Sequence, residues 1–567
     1  MSESQLLHWC DKTSRVLLVI GALIVLSLPF FYPVVGYDGW IHLNWLSQFP
    51  RVFFEGNLYP RWMPDSFAGF GSPAFYFYPP LVYWVGGMIY TFGIQSPLAL
   101  YQSLSLIFFI LSGLTCYWLL VKLVKNKRAA FLGALLYCIF PYRFADLYMR
   151  NALTEHAAFV FIPIVAISLI WINKPSIRRS HIILMSAIGW AGVLLTNIPA
   201  FIIIFYGSLI YLFFARSYQK QFRKQLIAFL FGVILALAIS AVFVIPLSDL
   251  LKAISISTAI RDKGFLGAIM QTGYALVDMF SPQKIKTLYW LLCVIIFLGG
   301  LMLLSQRRSI LSEHVATDKN DRALIWILIT ALTFQVPYVF QFLWRILPMM
   351  PVTQFAWRWD IWITLIAAIL AAKNFAATKS KVWTNTIVIA SVTVTIAFAA
   401  TYYAKVHSKN VGFNPGGMVA MDAPEYVPQS AAIPVDSLYP LLISHKDDRE
   451  ILISKGYANV SAIIREPLAT TFNASVTSEQ TELLFHRLYF PTWHLRDDRG
   501  VEYPIRSDSL GRIIATLPQG KRNYSLEIVP TNNERIGKWI SIAGILCVAG
   551  FGIFIILSRK REASSSL

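Results

Sequence analysis

The chain has 567 residues, of which 56% are hydrophobic, 15% aromatic and only 14% charged, with a mean hydropathy of +0.57. Water-soluble globules carry about 45–50% apolar and about 25% charged residues, so the composition excludes one and indicates a polytopic membrane protein. The formal charge of +19 is carried largely by Lys and Arg flanking apolar runs, an orientation signal rather than a nucleic-acid surface.

Arg15 precedes an apolar run, 16–35, without a small-x-small cleavage pattern, which predicts a retained first span. Residues 36–97 follow as a polar and aromatic connection holding Asp38, Glu55, Arg61 and Asp65. Most connections are short, and a long ordered one is usually functional. Further runs able to cross about 30 Å of hydrocarbon lie near 98–121, 129–141, 157–172, 181–197, 199–215, 225–248, 287–305, 323–343, 357–372, 383–404 and 537–557, about twelve spans in all. The basic connectors are Lys122, Lys125, Lys127 and Arg128; Lys174, Arg178 and Arg179; Arg216, Lys220, Arg223 and Lys224; Arg307 and Arg308; Lys373, Lys379 and Lys381; and the tail Arg559 to Arg561. All fall on the cytoplasmic side, with both termini, only if the apolar run Pro79 to Gly93 does not cross. That segment is expected flat at the interface or as a shallow re-entrant helix. The outer side then receives 36–97, 142–156, 249–286, 344–356 and 405–536.

Charge rises in 405–536, and Thr471 to Val476, Glu482 to Tyr489, Ile513 to Leu517 and Tyr524 to Val529 partly alternate between glycines 500, 511 and 520. The expected fold is an all-α polytopic membrane domain, 1–404, with an outer β-sandwich, 405–536, inserted before a final span and basic tail, 537–567. Of the five cysteines, Cys116, Cys138, Cys293 and Cys547 lie in apolar runs and Cys10 in the N-terminal tail, so none staples the exported domain or shows metal-ligand spacing.

No acidic or basic residue sits in the middle of a predicted span, which argues against an ion-coupled transporter. Charged groups gather at the outer ends instead: Asp38, Glu55, Arg61 and Asp65; Arg143, Asp146, Arg150 and Glu155; Arg345, Arg358 and Asp360. Chemistry on a lipid phosphate needs a carboxylate to accept a proton and cations to hold the departing phosphate. Asp38, just past the first span, reads as that base or as a capping or turn residue in a glycine-rich break. Arg143 and Arg150, seven apart, share a face if helical and suit phosphate through their planar forks; Asp146 could instead neutralise Arg143. Glu155 and His156 read as a metal pair or as a first-turn acid favourable to the helix dipole, and two ligands do not define a site. Arg358, between Trp357 and Trp359, reads as a phosphate clamp or as an interfacial helix anchor. The aromatics from Phe70 to Tyr83 suit sugar stacking, a lipid entrance or an aromatic belt.

An acidic residue just after the first span, a long first outer loop, the Pro79-Pro-Leu-Val-Tyr-Trp84 segment and an acidic second outer loop together resemble the GT-C superfamily of glycosyltransferases. Arg150-Asn-Ala-Leu-Thr-Glu155-His-Ala-Ala-Phe159, the Gln354 to Trp359 run and Glu425-Tyr-Val-Pro428 are similar to the bacterial multispanning family labelled 6-pyruvoyl-tetrahydropterin synthase-related. Tyr489-Phe-Pro-Thr-Trp493, Gly500 and Leu517-Pro-Gln-Gly520 are similar to the outer β-domain of YfhO-type membrane proteins. The resemblance covers nearly the whole chain. It implies a transferase in the bacterial inner membrane using polyprenyl-phosphate-linked sugars, with Asp38 as the first-loop catalytic carboxylate and Asp146 or Glu155 as the second-loop acid. The proline usual in the family's Gln-Phe-Pro-Trp-Arg pattern is Ala356 here.

The expectation is therefore an inverting GT-C-type glycosyltransferase whose site faces the outer side. Asp38, Glu155 and Asp146 are its catalytic candidates, and Arg143, Arg150, Arg358 and Arg61 its phosphate or donor-binding candidates. Mg or Mn assistance is left open. Partners would be the lipid-linked sugar, membrane lipid and a glycan, lipid or protein acceptor, with no nucleic acid. The rival expectations are a transporter that flips a lipid-linked glycan, and a catalytically silent scaffold.

Overall fold

The computed structural model describes residues 38–217, 219–255, 319–335, 340–377, 422–431 and 435–565. The expected spans at 16–35, 287–305 and 383–404, and nearly all of the outer segment 249–286, lie outside the described residues.

The first outer segment opens with helix α1, Gly39–Phe54, and later forms α2, Leu81–Thr91. At 11 residues, α2 is about 16 Å long, too short to cross. Six described helices are long and apolar enough to do so. They are α3 (Pro97–Val124), α5 (Leu153–Trp171, in two halves), α6 (Arg179–Thr196), α8 (Lys220–Ile239), α11 (Asp360–Ala377 with the 3₁₀ turn Ala356–Trp359 before it) and α13 (Asn532–Ser565). A seventh results if α4 (Lys127–Ile139) and the segment Tyr142–Tyr148, bent by 45°, count as one span. Two other expected spans are shorter helices, α7 (Ile198–Phe214) and α10 (Lys319–Phe334). The run expected as 225–248 is two helices, α8 and α9 (Ala241–Leu250).

Local sequence explains the breaks. α5 is interrupted between Ala158 and Ile162. Pro163 lacks the N–H that would reach the Phe159 carbonyl, and the Tyr137 hydroxyl donates to that oxygen instead, at 2.8 Å. At the α8–α9 break, the Val242 N–H donates to Ser541 Oγ of α13 at 2.8 Å, and the Val242 carbonyl accepts from Arg61 at 2.7 Å. The N–H is freed by the break and the carbonyl by Pro246, which has no N–H to offer it, and the last helix and the first outer segment satisfy both groups. Glycines set the closest helix approaches. Gly207 of α7 lies against the Trp362 indole, whose Nε1 donates to the Ile203 carbonyl at 3.0 Å. Gly232 of α8 faces Ser186 of α6.

Beyond a short helix, α12 (Val435–Ser444), residues 451–528 form one seven-stranded antiparallel sheet, where the sequence suggested a two-sheet sandwich. β3 (Ala469–Leu488) and β7 (Arg512–Ile528) pair along their length. β1 (Ile451–Lys455) and β2 (Ala458–Arg465) line the other edge of β3, and β4 (Trp493–Asp497) and β6 (Ile505–Ser507) that of β7, with β5 (Glu502–Tyr503) on β4. The four alternating stretches seen in the sequence are halves of these two long strands. Register shifts between Val476 and Gln480 and between Leu484 and Leu488 interrupt the alternation without ending the pairing. Gly500 and Gly511 do sit in turns, with φ of +78° and +83°, which glycine adopts at no steric cost; Gly520 lies inside β7.

The sheet packs directly on the first outer segment. The Phe70 ring stacks on His486 at 3.8 Å, the Leu488 N–H donates to the Phe70 carbonyl at 2.8 Å, and Trp62 meets Trp493 edge-on. A strap, 422–431, lies against the helical body through Gln429 N–H to Ala253 O at 2.8 Å and Ser255 N–H to Val427 O at 3.0 Å.

Candidate active site

Asp38 stands at the first position before α1, yet its side chain makes no capping bond. It turns to Arg150, 3.2 Å away, and its N–H donates to the Arg150 carbonyl at 3.0 Å. The side chain is thus turned to a guanidinium group and not to the free N–H groups of α1.

Arg150 ends a π-helical turn, Ala145–Arg150, a wide turn that is rare in proteins and concentrated at functional sites. Asn151 terminates it at φ +57°, a conformation Asn tolerates better than most residues, and its amide donates to the Leu147 carbonyl at 2.9 Å. Nη1 of Arg150 donates to Asp146 at 2.9 Å and to Glu155 at 3.0 Å. Glu155, at the start of α5, also accepts from Arg358 Nε at 3.0 Å and from the Tyr142 hydroxyl. Arg358 sits in the 3₁₀ turn before α11, where its Nη1 donates to the Thr353 carbonyl at 2.7 Å and to Gln354 Oε1 at 3.3 Å.

Five of the seven candidates therefore meet, from three segments distant in sequence. Their exposure is graded. The side chains of Asp146 and Glu155 are 0% exposed, Arg358 7%, Arg150 14% and Asp38 40%. Glu155 is the buried counter-ion that both guanidinium groups share, and Asp38 is the carboxylate a solute reaches.

Arg143 and Arg61 stand elsewhere. The wider π-helical turn shifts the phase between Arg143 and Arg150, so the seven-residue spacing no longer places them on one face. Arg143 is buried over the Phe159 ring at 4.2 Å and donates to Ser112 Oγ at 3.0 Å. It also faces His156 Nδ1 at 3.3 Å, while His156 Nε2 meets the Ser105 carbonyl at 3.1 Å. Both contacts are satisfied by a neutral ring protonated at Nε2. Asp146 pairs with Arg150, not Arg143. Arg61 pairs with Glu534 of α13 at 2.9 Å and stacks over Tyr59 at 3.8 Å. Asp65 forms a half-exposed pair with Arg51.

An aromatic wall adjoins Asp38. His42, one helical turn on, shares a 2.6 Å hydrogen bond with the Tyr83 hydroxyl, and burial pushes its pKa down to about 4, so the ring is neutral. Tyr78 bonds Thr154 at 2.7 Å, and Trp45 packs between Tyr78 and Tyr426. The indole N–H of Trp45 donates to Asp422 of the strap at 2.9 Å, and burial pushes the Asp422 carboxyl up to about 6. Sequence reasoning singled out no role for Tyr142, Thr353, Gln354, His42 or Asp422. With 26 tyrosines in the chain, nothing marks Tyr142 before its neighbours are known.

Among the described residues, no three His, Cys, Asp or Glu side chains are placed to share a metal ion. The cluster's carboxylates are turned to guanidinium groups, a donor set that does not fit a divalent cation.

Comparison with known proteins gives little to transfer. The chain matches no protein-family model and no curated protein. Among solved structures, the crystal structure of the Archaeoglobus fulgidus oligosaccharyltransferase complex with zinc and sulfate aligns over 70% of this chain and 54% of that one, at 17% identity and a TM-score of 0.39. The chain thus spans about half the length of that protein, and so loose a likeness bears no weight below. The helical body, with six apolar helices of spanning length among the described residues, and the antiparallel sheet beside it stand on the structure itself.

Proposed function

We propose that the chain is an inverting membrane glycosyltransferase that moves a sugar from a polyprenyl phosphate to an acceptor hydroxyl on the outer side of a bacterial cytoplasmic membrane. The observation that carries this reading is the partly exposed Asp38 carboxylate set against Arg150, which Glu155 couples to Arg358 in one ion-pair network.

In the proposed displacement the acceptor oxygen attacks the anomeric carbon as its proton passes to Asp38. The bond from that carbon to the phosphate oxygen breaks, and the electron pair leaves with the polyprenyl phosphate. Among the described residues, Nη2 of Arg358 meets no acceptor, which leaves an N–H edge for the phosphate; Arg150 lies beside it. A preorganised cation facing charge that develops in the transition state lowers the barrier more than it would in water. Asp146 and Glu155 are positioning groups in this scheme. Of the neighbouring aromatic rings Tyr78 is partly exposed and offers a face for a sugar ring, while Tyr83 and Trp45 are buried behind it. The proposed topology is supported by the same geometry: the first outer segment and the sheet lie together at the Asp38 end, while Lys122, Lys125, Lys127 and Arg128 lie at the far end of α3, as expected of cytoplasmic connectors.

The test supplies the purified protein, in vesicles, with a polyprenyl phosphate carrying a radiolabelled sugar and with a cell-envelope glycan extract. Label in a new covalent product is expected. Label that crosses the bilayer on its original lipid, with no new bond, would replace this reading with a transporter.

A further inference from the structure

Gln354 occupies a backbone conformation that its side chain alone does not favour. Its φ is +62° and its ψ −35°, and the Phe355 N–H donates back to the Thr353 carbonyl at 2.7 Å. Together these define a γ-turn with positive φ at its centre, the rare and strained form. Glycine would enter this turn without the Cβ penalty, so a glutamine here calls for a reason on its side chain.

The reason lies four residues on. The Thr353 carbonyl, aimed by the turn, accepts from Arg358 Nη1 at 2.7 Å as well as from Phe355, and Gln354 Oε1 accepts from the same Nη1 at 3.3 Å. With Nε on Glu155, the guanidinium is held along two edges and its plane is fixed. The turn also delivers the Phe355 ring, stacked on Trp357 at 4.5 Å, to 5.2 Å from the Arg358 guanidinium and 5.6 Å from that of Arg150. Strained backbone persists where the surroundings over-determine it, and such sites cluster at ligand clamps.

We infer that Gln354 is a positioning residue: its strained turn and side-chain carbonyl orient Arg358 so that the Nη2 edge faces an anionic lipid-phosphate ligand. This rests on the glycosyltransferase reading for the identity of the anion.

The experiment measures binding of undecaprenyl phosphate to the full-length protein in detergent, alongside its melting temperature. Gln354→Gly keeps the turn, relieves the strain and deletes the acceptor. It should melt at or above the wild-type temperature while its Kd rises about ten- to a hundredfold, the range for a lost hydrogen bond to a charged group. Gln354→Asn, a shorter side chain that also tolerates positive φ, should fold and show the same weakened binding, and it stands in should the glycine variant fail to fold. A residue that merely holds the loop would lower the melting temperature and leave Kd unchanged. Wild-type Kd in both variants overturns the inference and leaves the proposed function standing. Failure of the wild-type protein itself to bind undecaprenyl phosphate overturns both.

Discussion

Glu155 accepts from Arg150, Arg358 and Tyr142 with none of its side chain in contact with solvent. Removing one partner from a buried charge network leaves the others uncompensated, at a cost of about 3–5 kcal/mol. Glu155→Ala should therefore lower the melting temperature sharply and reduce the yield of folded protein, as thermal denaturation in detergent would register. Asp38, two-fifths exposed, is the contrasting case, and Asp38→Asn should melt close to the wild type. At this scale the sequence was legible where charge interrupts apolar runs, which is how Asp38, Asp146, Arg150, Glu155 and Arg358 were picked. It was misleading where spacing assumed an α-helix: the π-helical turn separates Arg143 from Arg150. The partner of Arg61, Glu534, comes from the other end of the chain, and no local pattern announces it.

Ala356 opens a 3₁₀ turn, and Phe355 before it is extended, with φ −135° and ψ 132°. That is the conformation the residue before a proline prefers, and the first helical position needs no backbone N–H. Ala356→Pro should stabilise the protein by about 0.4–1 kcal/mol through the unfolded chain, read as a higher melting temperature with binding retained. The opposite sign is expected at Gly232, where an added Cβ would stand 1.8 Å from Ser186 Oγ and 2.5 Å from the Ile183 carbonyl. Gly232→Ala forces α6 and α8 apart, and overpacking of this kind costs about 1–3 kcal/mol. Hydropathy located α3, α5, α6 and α11 to within about five residues, because each carries apolar length along one axis, but it ran α8 and α9 together. It could not place the Pro163 break or the fusion of four alternating stretches into two strands, since a register shift resembles a strand end in one dimension.

The outer sheet and the first outer segment form one body around Phe70, His486 and Leu488. This coupling titrates. Burial first, and Arg465 next, push the His486 pKa down to about 4, and burial does the same to His42. An ordinary histidine titrates near 6.5, so the unfolded chain binds more protons between about pH 6.5 and 4. The histidines' contribution to stability is present in full above that window and is lost as pH falls through it. Asp422, pushed up to about 6 by burial, runs the other way: its contribution is lost as pH rises through 6. Burial pushes the Glu425 carboxyl up as well, so two histidines oppose two carboxyls, and the acid limb that the histidines contribute below pH 6.5 is read by substitution. His486→Phe, which keeps a ring on Phe70, should flatten that acid limb, and an unchanged limb would contradict the assignment. That such a body would form was not legible in the sequence, because it depends on pairing between segments hundreds of residues apart.

The proposed function needs Asp38 as proton acceptor beside Arg150 and Arg358 as phosphate clamp, and transfer by the Asp38→Asn protein tests it most directly. With the fold and undecaprenyl phosphate binding retained, transfer of labelled sugar should drop by about 10² to 10⁴, the worth of a positioned base. Turnover by that variant at the wild-type rate would contradict the account.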